Sequence, residues 1–186
     1  MLPLLRACDI GRTGAELKFE EKFPTGVGRR PANLDVLITD SESSCLPVAV
    51  ESKFTEPFQT GGRDYLRPAY FRKYETWDEL PSCRGLAESL TVTERFKYLK
   101  AGQLLKHTLA LTRKFGKKRF VLLYIWYDVS GSEAAKQHGA EAQEFGSLVG
   151  DDVLFRSDTY QSVIQRLSPQ ASGSQYEKYL RSRYFE

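Results

Sequence analysis

Three runs of alternating apolar and polar positions open the readable part of the chain. Leu17, Phe19, Glu21 and Phe23 alternate with Lys18, Glu20 and Lys22, which predicts a strand. PTGVGRRP, residues 24–31, is rich in Gly and Pro and predicts a turn. A second strand is expected over 33–39, with Leu34, Val36 and Ile38 on one face and Asp35 and Leu37 on the other. After the polar turn DSESSCLP (40–47), residues 48–54 supply a third strand, making an antiparallel meander. Residues 55–67 read as a loop, and 70–80 as a helix confined by Pro68 and Pro81. TVTE at 91–94 matches a capping box, and Phe96, Leu99, Leu104, Leu105, Leu109 and Leu111 follow at mostly helical spacing. This predicts a helix from 91 to 114 that stops before Gly116. FVLLYIWY (120–127) predicts a buried central strand. Residues 132–148 read as a helix, 152–155 as a short edge strand, and 160–167 and 176–184 as two small helices. With no repeat and no linker, the order predicts a single α/β domain over 1–186 with a mixed central sheet.

Composition narrows the chemistry. The 186 residues are 41% hydrophobic and 12% aromatic, enough for one core and too apolar for disorder. Cys8, Cys45 and Cys83 form no CxxC, which argues against a disulfide framework and for a reducing compartment. No apolar run approaches the roughly 20 residues of a membrane span, and no signal-peptide pattern opens the chain, so a cytoplasmic protein without a membrane partner is expected. There is no P-loop, no GxSxG and no HExxH. Gly26-Val-Gly28 is followed by Arg-Arg-Pro, which breaks the dinucleotide fingerprint. What remains is carboxylates, lysines and at most one of two histidines, His107 and His138.

Asp35 sits among apolar neighbours in NLDVLI, and Glu51 in VAVESK. A buried acid is costly unless paired. Strand alternation puts Glu51 and Lys53 on one face, and an antiparallel hairpin lets Asp35 and Glu51 converge. Two carboxylates plus the carbonyl of Ser52 make a hard oxygen site suited to Mg²⁺, which would polarise a phosphodiester. Lys53 would then assist the attacking water. The bland reading of the same residues is an ion pair at a sheet edge.

Asp35 followed sixteen positions later by Glu51-Ser-Lys53 resembles the D…(D/E)xK signature of the PD-(D/E)XK nuclease superfamily, the restriction-endonuclease-like fold. The wider run NLDVLI … VAVESKFTEPF … QLLKH … RSRYF is similar to an uncharacterised bacterial branch of it. The resemblance implies a restriction-endonuclease-like core with an antiparallel catalytic hairpin flanked by helices. It implies Mg²⁺-dependent hydrolysis of DNA, with Mn²⁺ as a substitute, RNA left open, and a homodimer favoured if both strands are cut. Asp35 and Glu51 become metal ligands, with the Ser52 carbonyl. Family members often carry a further acid on a first core helix; here Glu21 is the preferred candidate, sharing the face of Phe19 and Phe23, with Glu20 and Glu16 as rivals. RecB-like members carry QxxxY after the hairpin. Gln103-Leu-Leu-Lys-His107 has His in the Tyr position, implying that Gln103 supports the site and His107 contacts nucleic acid.

Charge is unevenly spread. Residues 94–119 hold nine basic residues against one acid, whereas 133–158 hold two against six. The basic stretch suits a polyanion and makes Lys106, Arg113, Lys114, Lys117 and Lys118 candidate contacts. After Lys53, cations interleave with aromatics: Arg63, Tyr65, Arg67, Tyr70, Phe71, Arg72, Lys73, Tyr74 and Trp77. Such a loop can clamp phosphates and stack bases. Arg29 and Arg30 are weaker candidates. A catalytically silent nucleic-acid-binding protein of the same fold is the alternative reading.

Overall fold

The computed structural model describes residues 16–27, 30–40, 45–58, 66–72, 74–129 and 132–171, with 175, 178, 179 and 182. Strands β1 (Glu16–Phe23), β2 (Ala32–Thr39), β3 (Val48–Lys53), β4 (Val121–Trp126) and β5 (Leu154–Thr159) form one sheet in the order 1-2-3-4-5. The first three are antiparallel neighbours joined by short turns, as expected. β4 lies parallel to β3, and β5 parallel to β4. Parallel neighbours need long crossovers. Helices α1 (Pro81–Val92) and α2 (Ala101–Phe115) supply the first, α3 (Glu133–Val149) supplies the second, and α4 (Tyr160–Ala171) follows β5.

Two apolar layers hold the sheet. Leu37, Ala49, Leu122 and Tyr124 pack on one face with Leu86, Leu105, Leu109 and Phe145 of α1, α2 and α3. Ile38, Val48, Val50, Leu123 and Ile125 face the other way, against Val163 and Tyr160 of α4. β4 is therefore covered on both faces, which is why its sequence is apolar without alternation.

The structure departs from the predicted elements in ways that have physical causes. The single helix expected over 91–114 is two. Thr91 closes α1, its hydroxyl donating to the Glu88 carbonyl at 2.7 Å, and does not open a new helix. Backbone N–H groups of Lys97, Tyr98 and Leu99 all donate to the buried Glu141 carboxylate of α3, at 3.0, 2.8 and 2.8 Å. Those donors are unavailable for a helix, so α2 starts at Ala101. Pro81 begins α1 where an upstream helix was expected to end against it; at the first helical position its missing N–H costs nothing. Residues 68–71 and 74–77 form single 3₁₀ turns. The edge strand runs 154–159, later than expected. Of the helix expected over 176–184, residues 178, 179 and 182 are described and are helical; the others lie outside the described residues.

β1 and β2 exchange faces halfway along. Leu34 joins the larger layer with Phe23 and Ala32, whereas Val36 and Ile38 pack in the smaller one. Strict alternation would have kept Leu34 with Val36 and Ile38. The ladder pairs Phe19 with Val36 and Glu21 with Leu34, and skips the rung between them, Glu20 and Asp35. Glu20 has φ of 53°, a left-handed conformation that costs a non-glycine residue about 1–2 kcal/mol. The kink falls at the rung of Asp35 within β2.

Candidate active site

β2 and β3 pair as far as Val36 with Val50, and one step further brings Asp35 and Glu51 across from each other. The Ser52 N–H fills the gap, donating to Asp35 Oδ2 at 2.7 Å. The carbonyl of Lys53 turns the other way and accepts from Tyr127 N at 2.9 Å. Because N–H and C=O of one strand residue share a side, the Ser52 carbonyl is turned towards Asp35.

Glu51 is 1% exposed and is surrounded by donors. Its Oε1 lies 2.5 Å from Lys53 Nζ and accepts from Gln103 Nε2 at 2.6 Å. Its Oε2 lies 2.9 Å from His107 Nε2. Gln103 and His107 are one turn apart on α2, so a single helix face supplies both. Burial pushes the Glu51 carboxyl up, but His107 and Lys53 outweigh it and hold the group below its ordinary range. Asp35 moves the other way: burial and the Glu51 charge raise it, offset in part by the Ser52 N–H and Lys53.

This donor set fits a magnesium ion. Among the described residues, Glu51 Oε2 meets His107 Nε2 and no other donor, which leaves it a further lone pair. Asp35 and the Ser52 carbonyl add two hard oxygens. Among the described residues there is no cluster of three or more His, Cys, Asp or Glu. Mg²⁺ keeps several waters and takes one or two carboxylates, the number that Asp35 and Glu51 would supply.

The remaining expected site residues are placed unevenly. Glu21 pairs with Leu34 beside the larger apolar layer, while Phe19 lies on the opposite face, 66% exposed, so the face assumed to be shared by Phe19, Glu21 and Phe23 does not exist. Besides Glu51, the acid whose charge raises Asp35 is Glu20, and its Oε2 accepts from Asn33 Nδ2 at 2.5 Å. His107, expected to contact nucleic acid, is 2% exposed, and its Nε2 lies against Glu51. Lys117 pairs at 2.8 Å with Asp152, a fully buried acid that also accepts from Cys83 N in the first turn of α1. Lys117 and Lys118 precede Val121, which pairs with Val48, so they stand at the opposite end of the parallel strands from Glu51. Arg113 lines a cavity with Glu75, Asp78 and Glu79, an acidic setting that opposes a phosphate contact. Its guanidinium also lies against Gly26, whose φ of 80° would strain any residue with a side chain. Lys114 and Arg72 are exposed. Arg67 and Lys106 line a second cavity together with Arg30. Arg29, Arg63, Tyr65 and Lys73 lie outside the described residues.

Two neighbours of the site carry no local signal in the sequence. The Tyr160 hydroxyl at the start of α4 hydrogen-bonds the Ser52 hydroxyl, and its ring stacks on Phe54 with centroids 4.6 Å apart. Tyr124 pairs with Glu51 across β3 and β4 and meets His138 Nε2 at 2.9 Å. Both contacts join segments distant in sequence.

A protein-family model described as Restriction Endonuclease associating with ARP matches residues 3–185. No curated protein and no solved structure matches the chain. Among the described residues, no helix is long and apolar enough to cross a membrane.

Proposed function

The chain belongs to the family of restriction endonucleases associating with ARP, with a mixed five-stranded sheet compatible with a restriction-endonuclease-like core; from that premise we propose that it hydrolyses DNA phosphodiester bonds with the help of Mg²⁺. The observation that carries this reading is the convergence on Glu51 of Lys53, Gln103 and His107, with Asp35 facing it across an interrupted ladder. Asp35, Glu51 and the Ser52 carbonyl would hold the ion. When bound, Mg²⁺ supplies Lewis-acid stabilisation of the charge that develops on the phosphate.

The protein side chains have separate duties. Glu51 is kept ionised by His107 and Lys53, so it can bind a cation at neutral pH. Gln103 fixes the orientation of that carboxylate by its hydrogen bond to Oε1. Lys53, with a side chain 16% exposed, is the positive group that reaches towards solvent from this cluster; it orients the attacking water and offsets phosphate charge. His107 is a positioning residue. ARP enters only through the family description, as a partner of the family's members.

Linear and circular DNA incubated with Mg²⁺ test the reading. Wild type is expected to cut only with metal, and Lys53→Ala and Asp35→Asn to lose at least about 100-fold in rate while staying folded. Glu51→Ala should lose activity as well. Metal-independent cutting, or full activity in Lys53→Ala, would rule the mechanism out. Salt-sensitive DNA binding without cutting would favour the silent binding protein.

A further inference from the structure

A second cavity, of about 270 Å³, is lined by Val27, Arg30, Pro31, Arg67, Ala69, Tyr70 and Lys106. Three segments distant in sequence build it: the β1–β2 turn, the 3₁₀ turn at Pro68–Phe71 and helix α2. Arg30, Arg67 and Lys106 bring three positive charges to it, and no acid lines it among the described residues. None of the three forms an ion pair with another described residue. Convergent like charges repel, and an anion between them removes the repulsion. The volume is about nine times the ~30 Å³ share of a water molecule, room for a phosphate with its sugar.

Helix α2 is common to the cavity and to the residues around Glu51. Lys106 lies between Gln103 and His107 on α2, within one helical turn, about 5.4 Å of axis, of the residues that hold Glu51. Successive nucleotides of a duplex strand rise by about 3.4 Å. We infer that Arg30, Arg67 and Lys106 form a pocket for one backbone phosphate of the nucleic-acid strand, one or two nucleotides from the bond that is cut. This rests on the reading of the chain as acting on nucleic acid. The pocket fixes the register of the strand, while the carboxylates act on its neighbour.

A single-phosphate pocket differs measurably from a diffuse basic surface. Three cations on one phosphate share one counterion-release event, whereas three independent contacts release about three. Binding of a labelled DNA duplex is measured without divalent metal across a salt series, for wild type, the three single variants Arg30→Gln, Arg67→Gln and Lys106→Gln, and the triple variant. Circular dichroism verifies folding. In the triple variant the slope of log affinity against log salt is expected to fall by about 1 in total. In a parallel series, replacing single phosphates by neutral methylphosphonates should weaken wild-type binding at one position near the cut, and the triple variant should lose that sensitivity. A fall of about 3, an unchanged slope, or loss of sensitivity at no position each overturns the pocket. Because no metal is present, these outcomes stand apart from cleavage. Metal-dependent cutting that is unchanged in the triple variant would remove the pocket and leave the nuclease reading intact.

Discussion

Asp35 and Glu51 are neighbours whose ionisation is pushed in opposite directions, and this predicts opposite responses to neutralisation. Asp35 is raised by burial and by Glu51, so its charge is less favourable folded than unfolded. The cost is present at neutral pH, declines as pH falls through the raised folded value, and is absent below the unfolded value near 3.9. Asp35→Asn should therefore raise the melting temperature at pH 7 by roughly 2–4 °C while abolishing activity, and the gain should vanish near pH 3. Glu51 is lowered, so its stabilisation is present above the unfolded value and lost as pH falls through the folded one. Glu51→Ala leaves a half-buried Lys53 without its counter-charge and Gln103 and the buried His107 without their partner, and should cost on the order of 3 kcal/mol in urea unfolding at pH 7. A shift of the same sign in both variants would contradict the assignment of causes. Mg²⁺ should stabilise wild type and not Asp35→Asn.

At the scale of elements, the entry into α2 decides whether Gln103 and His107 reach Glu51. That entry is held by α3: Glu141 accepts three successive backbone N–H groups from 97–99 and one bond from Gln137. Hydrogen bonds to a charged, buried acceptor are each worth about 1.5–3 kcal/mol, and losing the acceptor leaves the donors unpaired. Glu141→Ala should cost about 3 kcal/mol or more and lower cleavage even though it does not touch the carboxylates. A stable variant with wild-type activity would show that α2 is held in place by its apolar face alone. The sequence predicted one helix through this segment because capping-box residues are local, while the group that satisfies the 97–99 amides lies more than 40 positions away. The existence and antiparallel order of the first three strands, by contrast, needed only local pattern and short turns, although the faces of β1 and β2 depart from strict alternation at the Glu20–Asp35 rung.

For the whole molecule, acid stability has a source away from the site. His138 of α3 is fully buried against Tyr124, Trp126 and Phe58, and burial lowers it to about 4. It stays neutral in the fold while the unfolded chain takes up a proton below about pH 6.5. Stability therefore falls as pH drops, by about 2 kcal/mol between pH 7 and 5 from this group alone. His138→Gln should lack that component, so its urea midpoint should change less than that of wild type over the same interval. An equal change in both would place the acid sensitivity elsewhere.

Sequence alone determined the strands, the hairpin and the carboxylate pair, because strand period and short connections act over a few residues. Asp35, Glu51 and Lys53 are legible as one group for that reason, since they lie on adjacent strands; Gln103 joins them in the sequence only through the resemblance of QLLKH to the QxxxY motif. Tertiary structure decided the rest. It turned Leu34 to the other face through a kink at Glu20, buried His107 against Glu51, tied Lys117 to Asp152, and gathered Arg30, Arg67 and Lys106 around one cavity. Each depends on which distant segments pack together, and charge counted along the chain does not record which cations have found a partner in space.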